Sequence, residues 1–275
     1  MGAAAELARE PTAGRRGAAI AITNVDVTYG VGGADPIKAL AGITLDIPDG
    51  AFVSLVGPSG CGKSTLLKVV ADLMAPTRGT VTVGGTAPRN MRHAGRIGLV
   101  FQQASLMPWL RAANNIGLLR DLVARRGSAS REAVTSIDEL IRVVGLTGFE
   151  TKYPHQLSGG MQQRVALARA LALDPAVLLM DEPFAALDEI TRDRMAFELM
   201  RLWHHYRKTV LFVTHSLAEA VFLSDRVVLM STRPGRVHQM FEIDLPRPRD
   251  RETRLTERFH QIVSEINREL YRVMA

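Results

Sequence analysis

Short apolar runs recur along the chain, and they predict the strands of a buried sheet. The runs lie at 52–56, 97–101, 176–180, 209–214 and 226–230. A continuous apolar run of this length, bounded by turn residues, is typical of a strand that is covered on both faces. Helical patterns separate several of the runs. This order of elements predicts an α/β fold with a largely parallel central sheet.

The first part of the chain has a different pattern. Residues 19–29 and 43–47 alternate apolar and polar side chains, as strands do when one of their faces is exposed to water. We therefore expect an N-terminal antiparallel β layer beside the parallel core.

Helical patterns replace the strand pattern between residues 104 and 153, and the clearest of them lie at 114–126 and 131–146. They predict a helical subdomain of about residues 104–160, inserted into a main domain of residues 19–245. We expect residues 1–18 to be a flexible tail. Residues 246–275 predict a Pro-rich linker followed by a basic amphipathic helix.

Composition narrows the class of protein. A chain of 275 residues with 47% hydrophobic residues can bury a large core, and its apolar runs are far shorter than the ~20 residues that a transmembrane helix needs. Glu6, Arg9 and Glu10 stand where a signal peptide requires an apolar segment. The single cysteine excludes an internal disulfide framework and favours the reducing cytoplasm.

The chain is basic, with a formal net charge of +6 and a sequence pI near 9.9. Such a surface attracts nucleic acid or an anionic membrane. An ordinary solvated surface explains the same charge, so charge alone does not decide between these interpretations.

The strongest motif is GPSGCGKST, which follows the apolar run at 52–56 and precedes a helical pattern. Strand, glycine-rich turn and helix together form a phosphate-binding loop, because successive backbone N–H groups point at a polyphosphate. Lys63 adds charge at the β- and γ-phosphates, and Ser64 offers a hydroxyl to Mg²⁺. We expect the whole loop to contact a nucleotide: Gly57, Pro58, Ser59, Gly60, Cys61, Gly62, Lys63, Ser64 and Thr65.

A second motif, VLLMDEP at 177–183, ends a buried strand in two carboxylates. In a chain that already has a phosphate loop, Asp181 is expected to face Mg²⁺. Glu182 is expected to face the water that attacks the γ-phosphate.

The third motif is LSGGMQQR at 157–164, where a serine and two glycines precede good helix formers. Ser158 can cap a helix that begins near Met161, and paired glycines let another surface approach the backbone. Because a helix N-terminus attracts anions, this segment predicts an anion site away from the phosphate loop.

Together these motifs resemble the ATPase subunit of an ATP-binding cassette (ABC) transporter, over roughly residues 20–237 and in the family's order. The resemblance implies a P-loop NTPase (RecA-like) core with ATP and Mg²⁺ as cofactors. It implies that Ser158, Gly159 and Gly160 bind the γ-phosphate of an ATP held by a second copy. The main domain would then be an ABC ATPase domain.

The resemblance also assigns roles to isolated residues. Tyr29 matches the aromatic residue that stacks on adenine, and Asp188 in AALD matches the D-loop aspartate. Gln102 in VFQQ matches the glutamine that links Mg²⁺ to the membrane partner, and His215 in VTHS matches the switch histidine. The implied catalytic residues are Glu182, His215 and Gln102, and the implied Mg²⁺ ligands are Ser64, Gln102 and Asp181.

Two departures from the common pattern are Ala185, where many members have serine, and Met161, where glutamine is frequent. With SLMPWL, DEPFAALDEITR and STRPGRV, the second departure resembles the importer subgroup for nitrate, sulfonates and taurine. The implied partners are a second copy and an integral membrane permease, with a solute-binding protein acting indirectly and no nucleic acid. The implied location is the cytoplasmic face of the inner membrane.

Two alternative classes of protein are a soluble ABC ATPase that acts on nucleic acid or ribosomes, and a regulator that holds ATP without hydrolysing it. The uninterrupted cassette disfavours the first, and intact Glu182, Gln102 and His215 disfavour the second. Residues 106–110 also leave two interpretations open. They are either core packing of the helical insertion or a partly exposed groove for the permease, with Trp109 as its anchor.

Overall fold

The computed structural model describes residues 17–32, 35–125, 135–185 and 187–274. Within these ranges it shows a mixed, mostly parallel sheet, an antiparallel sheet and helices, which confirms the predicted α/β P-loop NTPase fold. The helices are α1 (Lys63–Val70), α2 (Pro88–His93), α3 (Ala112–Arg125), α4 (Ile137–Val143), α5 (Gly159–Leu171), α6 (Glu189–Tyr206), α7 (Leu217–Leu223), α8 (Arg251–Leu255) and α9 (Glu257–Met274), with a 3₁₀ turn at Pro154–Gln156.

The central sheet carries the motifs. Its order is β5-β6-β7-β3-β8-β9, and all of these strands except the edge strand β9 are parallel to one another. The ends of β3 and β6 therefore lie at one edge of the sheet, where the phosphate loop and the Asp-Glu pair follow them. The strands are β3 (Phe52–Val56), β5 (Ile97–Val100), β6 (Val177–Asp181), β7 (Thr209–Val213), β8 (Arg226–Ser231) and β9 (Arg236–Glu242).

The antiparallel layer has the order β2-β1-β4, with β1 at Ile20–Tyr29, β2 at Ile37–Ile47 and β4 at Arg78–Val83. One hydrophobic cluster lies between this layer, α1 and the central sheet, and another covers the opposite face of that sheet. Covering both faces explains why the parallel strands are mostly apolar along their length.

Several boundaries differ from the sequence prediction. β2 begins at Ile37 instead of 43, β4 and β9 were not predicted, and α5 begins at Gly159 instead of near Met161. β9 pairs antiparallel at the sheet edge and its side chains are mostly exposed, so it lacks the continuous apolar run that revealed its neighbours.

The predicted tail lies outside the described residues except for Gly17 and Ala18, and there the prediction is wrong. Ala18 is buried, and its backbone N–H donates to the Thr209 hydroxyl at 3.1 Å. The ordered domain therefore includes at least these two residues.

The C-terminal region forms helices, as predicted, and α9 is amphipathic: Phe259, Ile262 and Ile266 are buried. The expectation of a basic helix is wrong for α9 itself, which has as many glutamates as arginines: Glu257, Glu265 and Glu269 against Arg258, Arg268 and Arg272.

Arg249, in the linker before α8, is buried, and its Nη1 donates to the carbonyl oxygens of Val221, Phe222 and Ser224 at 2.7–2.9 Å. These carbonyls are at the end of α7, where a helix leaves its acceptors unpaired. Burial and the neighbouring Arg247 lower the pKa of Arg249 to about 10, so the cap stays charged at neutral pH.

Candidate active site

The phosphate loop connects β3 to α1 and needs its glycines for its own shape. Gly62, the residue before α1, has φ +94°, and a Cβ there would lie 2.4 Å from a Leu40 methyl carbon. Gly57 has φ +149°, and a Cβ there would lie 2.6 Å from the Met230 carbonyl oxygen. The positive φ angles and the close neighbours explain why larger residues are excluded at these two positions. A glycine-rich turn that leads into a helix N-terminus directs backbone N–H groups towards an anion.

Lys63 is held inside this loop. Its Nζ donates to the carbonyl oxygens of Gly57 at 2.8 Å and Pro58 at 3.0 Å, and the residue is 7% exposed. The ammonium group is therefore fixed at the centre of the turn, where a polyphosphate would meet it.

Ser64 and Asp181 come together from two different motifs. The Ser64 hydroxyl donates to Asp181 Oδ1 at 2.9 Å, across 117 residues of sequence. Burial raises the pKa of Asp181, and the adjacent Glu182 raises it further, while the Ser64 hydrogen bond, Lys68 and Lys63 oppose the shift. Two oxygen donors beside the phosphate loop fit Mg²⁺, which prefers oxygen ligands.

No group of three or more His, Cys, Asp or Glu side chains in the described ranges is arranged to hold a metal ion. The chain would then supply only a few of the six Mg²⁺ ligands, and phosphate oxygens and water the others.

Glu182 occupies a strained position next to this pair. Its φ is +46°, in the left-handed region that non-glycine residues seldom adopt, and its N–H donates to the Val213 carbonyl oxygen at 2.9 Å. Its Oε2 lies 3.5 Å from His215 Nδ1. Strain of this kind is common where a side chain must be aimed at a substrate, and here it brings the predicted base and the predicted switch histidine together.

A cleft of about 700 Å³ opens above the phosphate loop. Tyr29 is part of its wall, and its hydroxyl is hydrogen-bonded to Thr65 Oγ1 at 3.0 Å. The predicted residues Ser59, Gly60, Gly62, Lys63, Ser64, Thr65 and Glu182 also line the cleft.

Four further lining residues, Ile37, Lys38, Ala39 and Arg233, were missed by the sequence reasoning. Arg233 lies in the turn between β8 and β9, which is docked on the phosphate loop. A Cβ on Gly235 would lie 2.0 Å from the Cys61 carbonyl oxygen, and Gly235 exchanges backbone hydrogen bonds with Ala39 and Ala41 at 2.9 and 3.0 Å. The signal was present in STRPGRV, where Pro and Gly mark a tight turn beside two cations.

Several other predicted residues are outside the described lining of the cleft, and Ser158, Asp188 and Gln102 are among them. Ser158 Oγ accepts from the Met161 N–H at 3.3 Å and caps α5, and Asp188 caps α6 by accepting from the Thr191 N–H at 3.0 Å. The Thr191 hydrogen bonds hold the pKa of Asp188 below its ordinary value. Gln102 is exposed after β5.

Residues 106–110 divide between the two interpretations. Leu106 packs against the core, while Trp109 is 69% exposed. The buried Asn115 fixes the loop, since its side chain accepts from the Met107 N–H at 2.8 Å and donates to the Leu110 carbonyl oxygen at 2.9 Å. Core packing is thus wrong for Trp109, which the loop holds at the surface.

The fold and the site define a phosphate-loop ATPase, and comparison with known proteins gives its family. A family model described as ABC transporter matches residues 40–185. The chain belongs to the ABC transporter family and is an ATPase of that family. None of the helices in the described residues has the length and apolar character needed to cross a membrane.

An uncharacterised ABC transporter ATP-binding protein of Methanocaldococcus jannaschii is 50% identical over 215 residues, covering 78% of this chain and 79% of that protein. The taurine import ATP-binding protein TauB of Roseobacter denitrificans is 40% identical over 227 residues, covering 82% of both. A solved dimeric ABC cassette in a post-hydrolysis state, bound to ADP and Pi, is 34% identical and has a TM-score of 0.69. The match covers 82% of this chain and 98% of that one.

Proposed function

We propose that two copies of this chain bind two ATP molecules between them, head to tail. Each ATP lies between the phosphate loop of one copy and Ser158, Gly159 and Gly160 of the other. The observation that carries the proposal is Gly159: it is exposed, its φ is not left-handed, and a Cβ there would meet nothing within 4 Å. Its own chain gives no reason for a glycine, whereas close approach of a second surface does.

Within each site, Glu182 acts as the general base for the attacking water, and His215 orients that water against the γ-phosphate. Ser64, Asp181 and Gln102 hold Mg²⁺, which neutralises charge that develops on the phosphate oxygens. Tyr29 stacks on the adenine. Binding of two ATP molecules closes the pair, and hydrolysis reopens it, because only the closed form contacts both nucleotides.

The pair drives uptake of a small anionic solute of the nitrate, sulfonate or taurine type through a membrane permease. A permease helix docks beside Gln102 and Trp109, and a solute-binding protein delivers the solute on the other side of the membrane. The chain is then peripheral, on the cytoplasmic face of the inner membrane. Support comes from the 69% exposure of Trp109 and from the taurine import relative.

A complementation experiment tests the shared site. Lys63→Ala disables the phosphate loop, and Gly159→Asp places a negative charge at the start of α5, where the open space tolerates a side chain. Each variant alone is expected to have little ATPase activity. A dimer that combines both variants retains one intact site of two, so mixing the variants should return part of the wild-type activity, about a quarter if the chains pair at random.

An independent measurement follows the dimer itself. Glu182→Gln should form an ATP-dependent dimer in analytical ultracentrifugation, and Lys63→Ala should remain monomeric. Absence of both the recovered activity and the ATP-dependent dimer would exclude a shared site.

A further inference from the structure

Glu219 is a buried carboxylate that the nucleotide site does not explain. It lies in the first turn of α7, is 6% exposed, and its backbone N–H donates to Ser216 Oγ at 3.3 Å. Burial raises the pKa of its carboxyl group, against a hydrogen bond from Thr214 and the charge of Arg192. A buried carboxylate is costly unless it is paired, so its partners indicate what it is for.

One partner leads to His215. Glu219 Oε2 accepts from the Thr214 hydroxyl at 2.7 Å, and Thr214 Oγ1 accepts from the Ser216 N–H at 3.0 Å. Thr214 is buried and Ser216 is the N-cap of α7. Of the two residues that flank His215, Thr214 is held by the Glu219 carboxylate and Ser216 by the Glu219 backbone N–H. These contacts fix the backbone that carries the imidazole.

The other partner leads to the start of α6. Arg192 Nε lies 3.4 Å from Glu219 Oε1, and Arg192 Nη2 donates to the Leu187 carbonyl oxygen at 3.0 Å. Leu187 directly precedes Asp188. Arg192 thus connects the carboxylate to the D-loop segment.

The D-loop segment also touches α5. A Cβ on Gly160 would lie 2.7 Å from Thr191 Cγ2, so the starts of α5 and α6 are in close contact. Under the proposed function, the start of α5 binds the nucleotide of the second copy. A path then runs from that nucleotide to Thr191, along the backbone to Arg192, across to Glu219, and through Thr214 to the backbone of His215.

We propose that Glu219 is a positioning residue. Together with Arg192, it links the positions of the N-termini of α5 and α6 to the position of His215. This inference rests on the proposed function, because it needs a second nucleotide at α5. Its consequence is that occupation of one ATP site of the dimer adjusts the histidine of the other. The Arg192–Glu219 link therefore contributes to cooperative hydrolysis, and it contacts no substrate itself.

The test uses the full chain and steady-state ATP hydrolysis over a range of ATP concentrations. Glu219→Ala is expected to lower kcat about tenfold, a part of the loss expected when an acid–base group is removed outright. The ATP concentration at half-saturation should change less than about twofold, since the cleft is untouched. The Hill coefficient should fall towards one. Glu219→Gln keeps an acceptor for Thr214 and should restore part of kcat but not the cooperativity.

The same change in a His215→Ala background separates the inference from the proposed function. If Glu219 acts through His215, Glu219→Ala should lower the residual turnover of His215→Ala no further. An additional tenfold loss there, or unchanged kcat and Hill coefficient in Glu219→Ala, overturns the inference. Normal turnover of His215→Ala alone instead overturns the catalytic role in the proposed function.

Two controls address stability. Lys208→Met breaks another buried ion pair, with Asp174 at 2.5 Å, and should lower the melting temperature without lowering kcat. An equal loss of kcat in that control would assign the Glu219 effect to general destabilisation and refute the inference. If Glu219→Ala does not fold, Glu219→Gln and Thr214→Val decide: both must lose cooperativity for the inference to stand.

Discussion

Two helices in this chain begin with glycine-rich turns, and their glycines have different explanations. Before α1, Gly57 and Gly62 have positive φ angles and are crowded by Met230 and Leu40 of the same chain. At the start of α5, Gly159 has ordinary φ and open space around its missing Cβ. A glycine that its own chain requires supports folding. A glycine that its own chain does not require points to something that approaches from outside.

The largest expected effect concerns Glu182, the proposed base beside the phosphate loop that precedes α1. Glu182→Gln removes the proposed base but leaves Ser64 and Asp181 in place. We expect kcat to fall about 10²–10³-fold with ATP still bound, because an amide cannot accept the proton of the attacking water. Nucleotide binding by fluorescence and turnover by phosphate release would check it, and near-normal hydrolysis would contradict the assignment.

The next prediction compares the glycines directly. Gly62→Ala should lower the free energy of unfolding by about 1–3 kcal/mol, because alanine is strained at φ +94°. Gly159→Ala should leave it within about 1 kcal/mol of wild type or raise it, yet lower ATP turnover about tenfold by misplacing the second copy. Urea unfolding and ATPase assays measure both. An equal loss of stability in the two variants would contradict the different explanations given for the two glycines.

Trp109, like Gly159, is exposed and is not explained by contacts within its own chain. Trp109→Ala should keep the melting temperature and ATP affinity but weaken permease binding by about 2 kcal/mol, or about thirtyfold in Kd. Leu122→Ala, which alters another exposed apolar residue, is the control and should bind normally. Unchanged binding and transport by Trp109→Ala in membranes would remove the docking role.

The smallest effect concerns the wall of the cleft. Arg233 is a lining residue that β8 and β9 hold beside the phosphate loop, and Arg233→Ala should weaken ATP binding by about 1 kcal/mol, or about fivefold in Kd. Arg236→Ala changes an exposed cation in β9 outside the described lining and should leave Kd unchanged. Isothermal titration calorimetry compares them. An equal effect of both would indicate only long-range charge.

The sequence predicts the buried elements best, because their signal is local. The run at 52–56 matches β3 at both ends, since a strand buried on both faces is mostly apolar along its length. β9 has exposed side chains and a partner strand before it in sequence, so its pairing depends on tertiary context.

The candidate site shows the same division. The motifs at 57–65 and 177–183 mark the phosphate loop and the carboxylates, because each chemical role needs fixed neighbours in sequence. The approach of Arg233 to the cleft depends on how the β8–β9 turn docks on Cys61. The Arg192–Glu219 contact joins two helices. Neither contact can be predicted from the spacing of residues along the chain.

The buried guanidinium of Arg249 has a consequence for protein synthesis. It lies 28 residues after Val221, whose carbonyl oxygen it binds at 2.9 Å, and it also completes the hydrogen bonding of Phe222 and Ser224. During synthesis the residues of α7 are added before Arg249, so the end of that helix lacks this donor until Arg249 has joined the chain. The end of α7 therefore gains this buried cap only after every motif of the candidate site has been synthesised.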